Sequence, residues 1–125
     1  MSWDAYVTSL LQRHCSQAAI VGQGGGVWAA SPGFAVSEAE ISAINRGWSD
    51  PGTHFAPSGI VIGGRKFKFI RGDDQVVMVK DGASGACLRK TKQAIIIGVY
   101  DDKSQPGENS VGVNSIADHL ADSGY

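Results

Sequence analysis

The sequence predicts an α+β fold: a central antiparallel β-sheet of about 5-7 strands, with the N- and C-terminal helices on one face and a shorter helix on the other. Three observations lead there. Between residues 58 and 100, short β-rich runs alternate with glycine-containing turns, the pattern of a meander. Apolar residues fall at spacings of three and four in segments at the start, after Ser37 and near the end. The 17 glycines supply many tight turns, which suits a sheet-rich chain. With 125 residues, one domain spanning 1–125 is expected, large enough to bury a core.

The first helix is predicted from about Ser2 to Arg13, with Ser2 as N-cap, Asp4 favourable in the first turn, and Leu10 and Leu11 continuing an apolar stripe. Ala18–Gly22 reads as a buried strand, Gln23–Gly26 as a turn and Val27–Ser31 as the returning strand. The glycine-rich segment from Gly22 to Gly26 is followed by a strand rather than a helix, which argues against a dinucleotide-binding loop. Ser37-Glu38-Ala39-Glu40 opens a second helix with a serine cap and an acidic first turn, and Ile41, Ile44 and Trp48 form its apolar face. Asp50-Pro51-Gly52 breaks it, leaving His54 in a loop.

The meander begins with Gly59–Ile62 and a Gly63-Gly64 hairpin turn. Strict alternation over Arg65–Arg71 puts Lys66, Lys68 and Ile70 on one face, with Phe67 and Phe69 opposite. Strands follow at Val76–Lys80 and Ala86–Lys90. Ala94–Val99 is a continuous apolar run fit for a central strand buried on both faces. The last helix is expected from about Asn109 to Asp122, with Val113, Ile116, Ala117 and Leu120 inward.

Formal net charge is −1, so no whole-protein field points to nucleic acid. The charges are unevenly spread. Arg65, Lys66, Lys68, Arg71, Lys80, Arg89, Lys90 and Lys92 fall in one stretch with only Asp73, Asp74 and Asp81; beyond it, Asp101, Asp102, Glu108, Asp118 and Asp122 face Lys103. Two cysteines, Cys15 and Cys87, make no disulfide framework, and no ligand-like spacing of Cys and His suggests a metal. Neither a signal-peptide pattern nor an apolar run of transmembrane length is present, so a soluble cytoplasmic protein is expected. A small enzyme using Cys87 or Cys15 with a histidine is the weaker reading, because Cys87 fits a small core residue in its strand.

Trp3 and Tyr6 are large aromatics near a chain end, where segments usually fray. A spacing of three puts both rings on one helix face, either as core or as a partly exposed shelf. With the terminal helices together, Trp3, Tyr6, Trp28, His119 and Tyr125 would line a shallow groove. Flat rings with N–H and O–H edges suit a polyproline II ligand, which arrives pre-ordered.

The chain resembles profilin over essentially its whole length. The resemblance is carried by Ser2-Trp3-Asp4-Ala5-Tyr6-Val7, Ala18-Ala19-Ile20-Val21-Gly22, Val27-Trp28-Ala29, Ile62-Gly63-Gly64-Arg65-Lys66-Phe67, Gln93-Ala94-Ile95-Ile96-Ile97-Gly98 and Ile116-Ala117-Asp118-His119-Leu120, in family order. Segments 51–64 and 90–94 look closest to plant and green-algal members. The resemblance implies a non-enzymatic, cofactor-free, cytoskeleton-associated protein that binds monomeric actin, proline-rich partners such as formins, and phosphoinositides. It implies a polyproline site at Trp3, Tyr6, Trp28, His119 and Tyr125. Its actin site would use Lys66, Lys68, Phe69, Ile70, Arg71, Lys80, Lys90, Gly107, Val111, Asn114 and Ser115. Phosphoinositides would meet Lys66, Lys68, Arg71, Lys80, Arg89 and Lys90. The family often has bulky or charged polar residues where Asn114 and Ser115 stand, so the alternative is a proline-ligand adaptor with weakened actin binding.

Overall fold

The structure is a computed structural model that describes residues 3–13, 15–48, 50–57, 59–102 and 106–125. Its elements run α1 (Trp3–Leu11), β1 (Gln17–Gly22), β2 (Val27–Ala30), α2 (Glu38–Asn45), α3 (Pro51–Phe55), β3 (Ile60–Ile62), β4 (Arg65–Gly72), β5 (Val76–Asp81), β6 (Ser84–Lys90), β7 (Ala94–Tyr100) and α4 (Pro106–Asp122). The strands form one seven-stranded sheet in the order β2-β1-β7-β6-β5-β4-β3, with every neighbouring pair antiparallel.

Two cores lie on opposite faces of this sheet, because side chains alternate along each strand. One gathers Ile41, Ile44 and Trp48 of the α2 region and Phe55 of α3 over Phe67, Val79, Leu88, Ile95 and Ile97. The other packs Val7 and Leu10 of α1 and Val113, Ile116, Ala117 and Leu120 of α4 over Ala18, Ile20, Cys87 and Ile96. Strand β7 feeds both: Ile95, Ile96 and Ile97 are each 0% exposed. Each such isoleucine contributes about 1.5–3 kcal/mol of apolar burial, which is why the longest apolar run takes an inner position.

Helix α2 starts on a full capping box. Ser37 accepts from the Glu40 amide at 3.2 Å, and Glu40 Oε1 accepts from the Ser37 amide at 3.0 Å. The Glu40 carboxylate also accepts from the amides of Gly63 and Gly64 at 2.9 and 2.8 Å, which ties the β3–β4 turn to α2. That turn needs positive φ at both central residues, 61° and 81°, a conformation glycine adopts without steric cost.

Several boundaries differ from the sequence expectation. Asp50 ends nothing; it caps α3 by accepting from the Thr53 amide, with Pro51 in the first turn. His54 therefore sits on a short helix rather than in a loop. Helix α4 begins at Pro106, three residues before Asn109, and α1 ends at Leu11. Leu11 is exposed, so Val7 and Leu10 form the buried stripe of α1. Ser2 lies outside the described residues.

The largest departure is in β4. Phe69 pairs with Val79 and Arg71 with Met78, leaving Ile70 as an unpaired bulge residue. Arg71 thereby moves to the face of Lys66 and Lys68, where strict alternation would have put it beside Phe67 and Phe69.

Candidate functional site

Five aromatic side chains from three elements and the chain end meet on the α1–α4 side. The Trp3 ring lies 5.8 Å from Tyr6, 4.6 Å from Trp28 and 4.9 Å from Tyr125, the last edge-on at 82°. Trp28 and Tyr125 are 6.3 Å apart, and Tyr6 faces His119 at 5.6 Å with its hydroxyl 3.2 Å from His119 Nε2. These are the tilted and edge-to-face separations at which aromatic pairs gain about 0.5–1.5 kcal/mol beyond area burial. Trp3, Tyr6 and Trp28 are half-buried while His119 and Tyr125 are exposed, so the rings form a supported shelf rather than a closed core.

Backbone contacts hold the shelf in place. Tyr125 donates its amide to the Leu120 carbonyl at 2.9 Å, and its own carbonyl accepts from the Gln93 amide at 2.5 Å and the Thr91 hydroxyl at 2.8 Å. Gln93 also donates to the Gly124 carbonyl at 3.1 Å. The β6–β7 turn thus anchors Tyr125 against Trp3. Gly22 supports the other side: a Cβ there would meet Trp28 Nε1 at 2.7 Å, so the indole lies directly on the β1 backbone. Nothing in the local pattern distinguishes Gly22 from the turn glycines that follow it.

A second surface lies farther along the sheet. Helix α1 packs on β1 and β2 and α4 on β6 and β7. On that face Val76 and Met78 of β5 are half-buried against the α1–α4 core, while the side chains of β4 and the Lys80 end of β5 are exposed. Lys66, Lys68, Arg71 and Lys80 are exposed there, with Lys68 and Lys80 as direct cross-strand partners. Exposed Val61 and Ile70 lie among the cations, and Val111 on the outward side of α4 is 69% exposed. Gly107 is exposed in the first turn of α4. Arg71 and Met78 line a recess of about 320 Å³ that reaches Ser110 of α4.

Other residues singled out in the sequence are not brought into that surface. Phe69 packs into the opposite core, 6.4 Å from Phe55. Lys90 pairs with Ile95 of that same opposite face. Arg89 is turned under α4, where Nη1 donates to Asn114 Oδ1 and pairs with Asp118, both at 3.0 Å; its side chain is 16% exposed. Asn114 therefore serves the α4–β6 contact. Ser115 faces α1 and accepts from Arg13 at 3.3 Å.

The two thiols are poor nucleophiles. Burial pushes Cys15 up to about 12, with Cys87 nearby adding to the rise and the Asn109 side-chain bond opposing it. Burial likewise pushes Cys87 up to about 11. Thiolate is the reactive form, so neither group is activated at neutral pH. His14 lies outside the described residues. His54 stands edge-on to Phe55 and lines a cavity of about 420 Å³ between α2, α3 and β3. Among the described residues, no cluster of three His, Cys, Asp or Glu side chains offers a metal site, and no helix is long and apolar enough to cross a membrane.

Comparison with known proteins gives a consistent family. The profilin family model matches residues 1–125. Profilin-1 of Dictyostelium discoideum is 44% identical over 127 aligned residues, with all of both chains covered. The crystal structure of Acanthamoeba castellanii profilin II superposes with a TM-score of 0.93 at 39% identity, covering 99% of this chain and 100% of that one. Mouse profilin IIa, solved in complex with a double repeat from the FH1 domain of mDia1, shares the fold at a TM-score of 0.75 and 23% identity, with both chains fully covered.

Proposed function

This chain belongs to the profilin family, and from that premise we propose that it binds monomeric actin on the exposed β3–β5 face and a proline-rich segment on the aromatic shelf. The observation that carries the proposal is the separation of two differently built surfaces. The shelf rests on edge strand β2 and the cations on β4 and β5, with β1, β7 and β6 between them. Strands lie about 4.8 Å apart, so β2 and β5 are roughly 19 Å apart across the sheet. Both partners fit at once, and an actin subunit can be handed to machinery that holds the proline-rich segment. Formin-type nucleators are the proposed source of such segments.

Each surface suits its ligand chemically. Pyrrolidine rings stack on the flat faces of Trp3, Tyr6 and Trp28, while indole N–H and phenol O–H groups donate to ligand carbonyls. Lys66, Lys68, Arg71 and Lys80 speed encounter with an acidic partner, and Val61, Ile70 and Val111 supply apolar contact. The same four cations attract phosphoinositide headgroups by about 1 kcal/mol each, so lipid and actin compete for one face. Arg89, Lys90 and Phe69 drop out of the proposed sites because their side chains are engaged or turned away.

The adaptor reading draws on Asn114 and Ser115, which bring no charge to α4 and whose hydrogen bonds are internal. One preparation separates the two readings. The protein is expected to be retained on poly-L-proline and to slow spontaneous assembly of pyrene-labelled actin. Tyr6→Ala should lose only the first property and Arg71→Glu only the second. No slowing at excess wild-type protein favours the adaptor, and full column retention of Tyr6→Ala removes the shelf assignment.

A further inference from the structure

We propose that the seam between α1 and α4 extends the shelf into a second subsite, where Arg13 takes the carboxylate of an acidic residue flanking a proline-rich segment. The inference rests on the shelf reading above and adds a charge preference to it. A groove of about 350 Å³ runs along the seam, lined by Tyr6, Ser9, Arg13, Ser115, Ile116 and His119. Tyr6 and His119 are also shelf residues, so the two surfaces are continuous.

Arg13 is positioned rather than loose. Its Nε donates to Ser9 Oγ and its Nη1 to Ser115 Oγ, each at 3.3 Å, so one helix holds each side of the guanidinium. Its amide donates to the Leu10 carbonyl at 2.9 Å. Its carbonyl lies against Gly112 of α4, where a Cβ would meet it at 2.7 Å, so glycine is what lets the end of α1 approach so closely. Both side-chain partners are neutral hydroxyls, and among the described residues no carboxylate pairs with Arg13. Two of five N–H donors are used to aim the group, while its charge stays uncompensated at the groove's far end. A planar guanidinium held this way suits bidentate carboxylate recognition.

The spacing sets where the acid must be. Arg13 lies beyond the end of α1 and its guanidinium folds back onto Ser9, which is three residues from Tyr6, about 4.5 Å along the helix axis. A polyproline II ligand advances about 3.1 Å per residue, so the acid belongs about one or two residues beyond the proline that sits on Tyr6.

The test is fluorescence anisotropy with three labelled peptides: decaproline, decaproline ending in Asp-Asp, and decaproline beginning with Asp-Asp. One acidic peptide is expected to bind wild type roughly two- to fivefold tighter than decaproline in 50 mM salt, the range of an exposed ion pair. That gain should vanish in 500 mM salt and in Arg13→Gln. Arg13→Gln should bind plain decaproline as wild type does, which also shows that the variant is folded. Equal binding of all three peptides to wild type, or the same acidic gain in Arg13→Gln, overturns the subsite and leaves the shelf standing. Failure of wild type to bind decaproline overturns the shelf and the subsite together.

Discussion

The Tyr6 hydroxyl and His119 Nε2 lie 3.2 Å apart across 113 residues of sequence, closing the seam between the terminal helices beside the aromatic shelf. Trp3 is held differently, against Trp28 at 4.6 Å and Tyr125 at 4.9 Å. The shelf residues therefore divide into those that carry ligand contact and those that also carry the fold.

That division predicts separable phenotypes. His119→Ala removes an exposed partner, so unfolding free energy should change by less than about 1 kcal/mol while proline-segment affinity falls severalfold. Tyr6→Phe keeps the ring and should fall between wild type and Tyr6→Ala in affinity. Trp3→Ala should lose about 2 kcal/mol of stability as well as ligand binding, because the half-buried ring packs on two others. Urea unfolding followed by circular dichroism reads the stability; a Trp3→Ala variant as stable as wild type would show that Trp3 serves the ligand alone.

The buried thiols predict an alkaline weakness. The unfolded chain releases thiol protons near 9.0, whereas folded Cys15 holds its proton to about 12 and Cys87 to about 11. Folded values above unfolded ones mean the contribution is complete below pH 9 and drains away as pH rises toward the folded values. On the steep part, each thiol takes about 1.4 kcal/mol per pH unit. Under reducing conditions, Cys87→Ala should therefore lose stability less steeply than wild type between pH 9 and 11. Parallel slopes for the two proteins would contradict the assignment.

Gly98 predicts a packing limit. It pairs with Ala18 and Cys87 in the sheet, and a Cβ there would collide with Val113 of α4 and meet Cys15 Sγ at 2.8 Å. Gly98→Ala should cost about 1–3 kcal/mol through overpacking. Because the two groups touch, Gly98→Ala with Val113→Ala should cost less than the sum of the single changes. Strict additivity in urea melts would mean α4 shifts freely on β7.

The features legible in the sequence are those with a local cause. The Ser37–Glu40 box, the Gly63-Gly64 turn and the apolar run of β7 each encode their element through neighbouring residues. Pairing Trp3 and Tyr6 with His119 and Tyr125 was reachable because two helices had to share one face. Helix α3 was not legible: Pro51–Phe55 is too short to display a helical period, and Asp50-Pro51-Gly52 reads equally well as a stop. The Ile70 bulge was hidden for a different reason, since one unpaired residue leaves the composition of a strand unchanged while it moves Arg71 to the other face. Arg89 reads as a ligand group by its charge, and the family resemblance points Asn114 and Ser115 to a partner, but no local pattern shows the α4 and α1 contacts that these three side chains make.

Lys68 and Lys80 present a conflict between fold and function that one substitution resolves in opposite directions. They are direct cross-strand partners on the uncovered face, and like charges so placed destabilise a sheet by about 0.2–1 kcal/mol. The nearby carboxylate of Asp81 does not neutralise them, because it pairs with Arg65 at 2.7 Å, and Arg65 itself lies over the inward-facing Phe67 ring. Lys80→Glu replaces the repulsion with an attraction. It should raise the urea midpoint modestly, weaken actin association, flatten the salt dependence of that association, and leave poly-L-proline retention unchanged. Lys80→Gln should lie between the two on both measures. Weaker actin binding without any stability gain would mean the lysines splay apart in solution, whereas a stability gain with unchanged actin affinity would remove this face from the actin site.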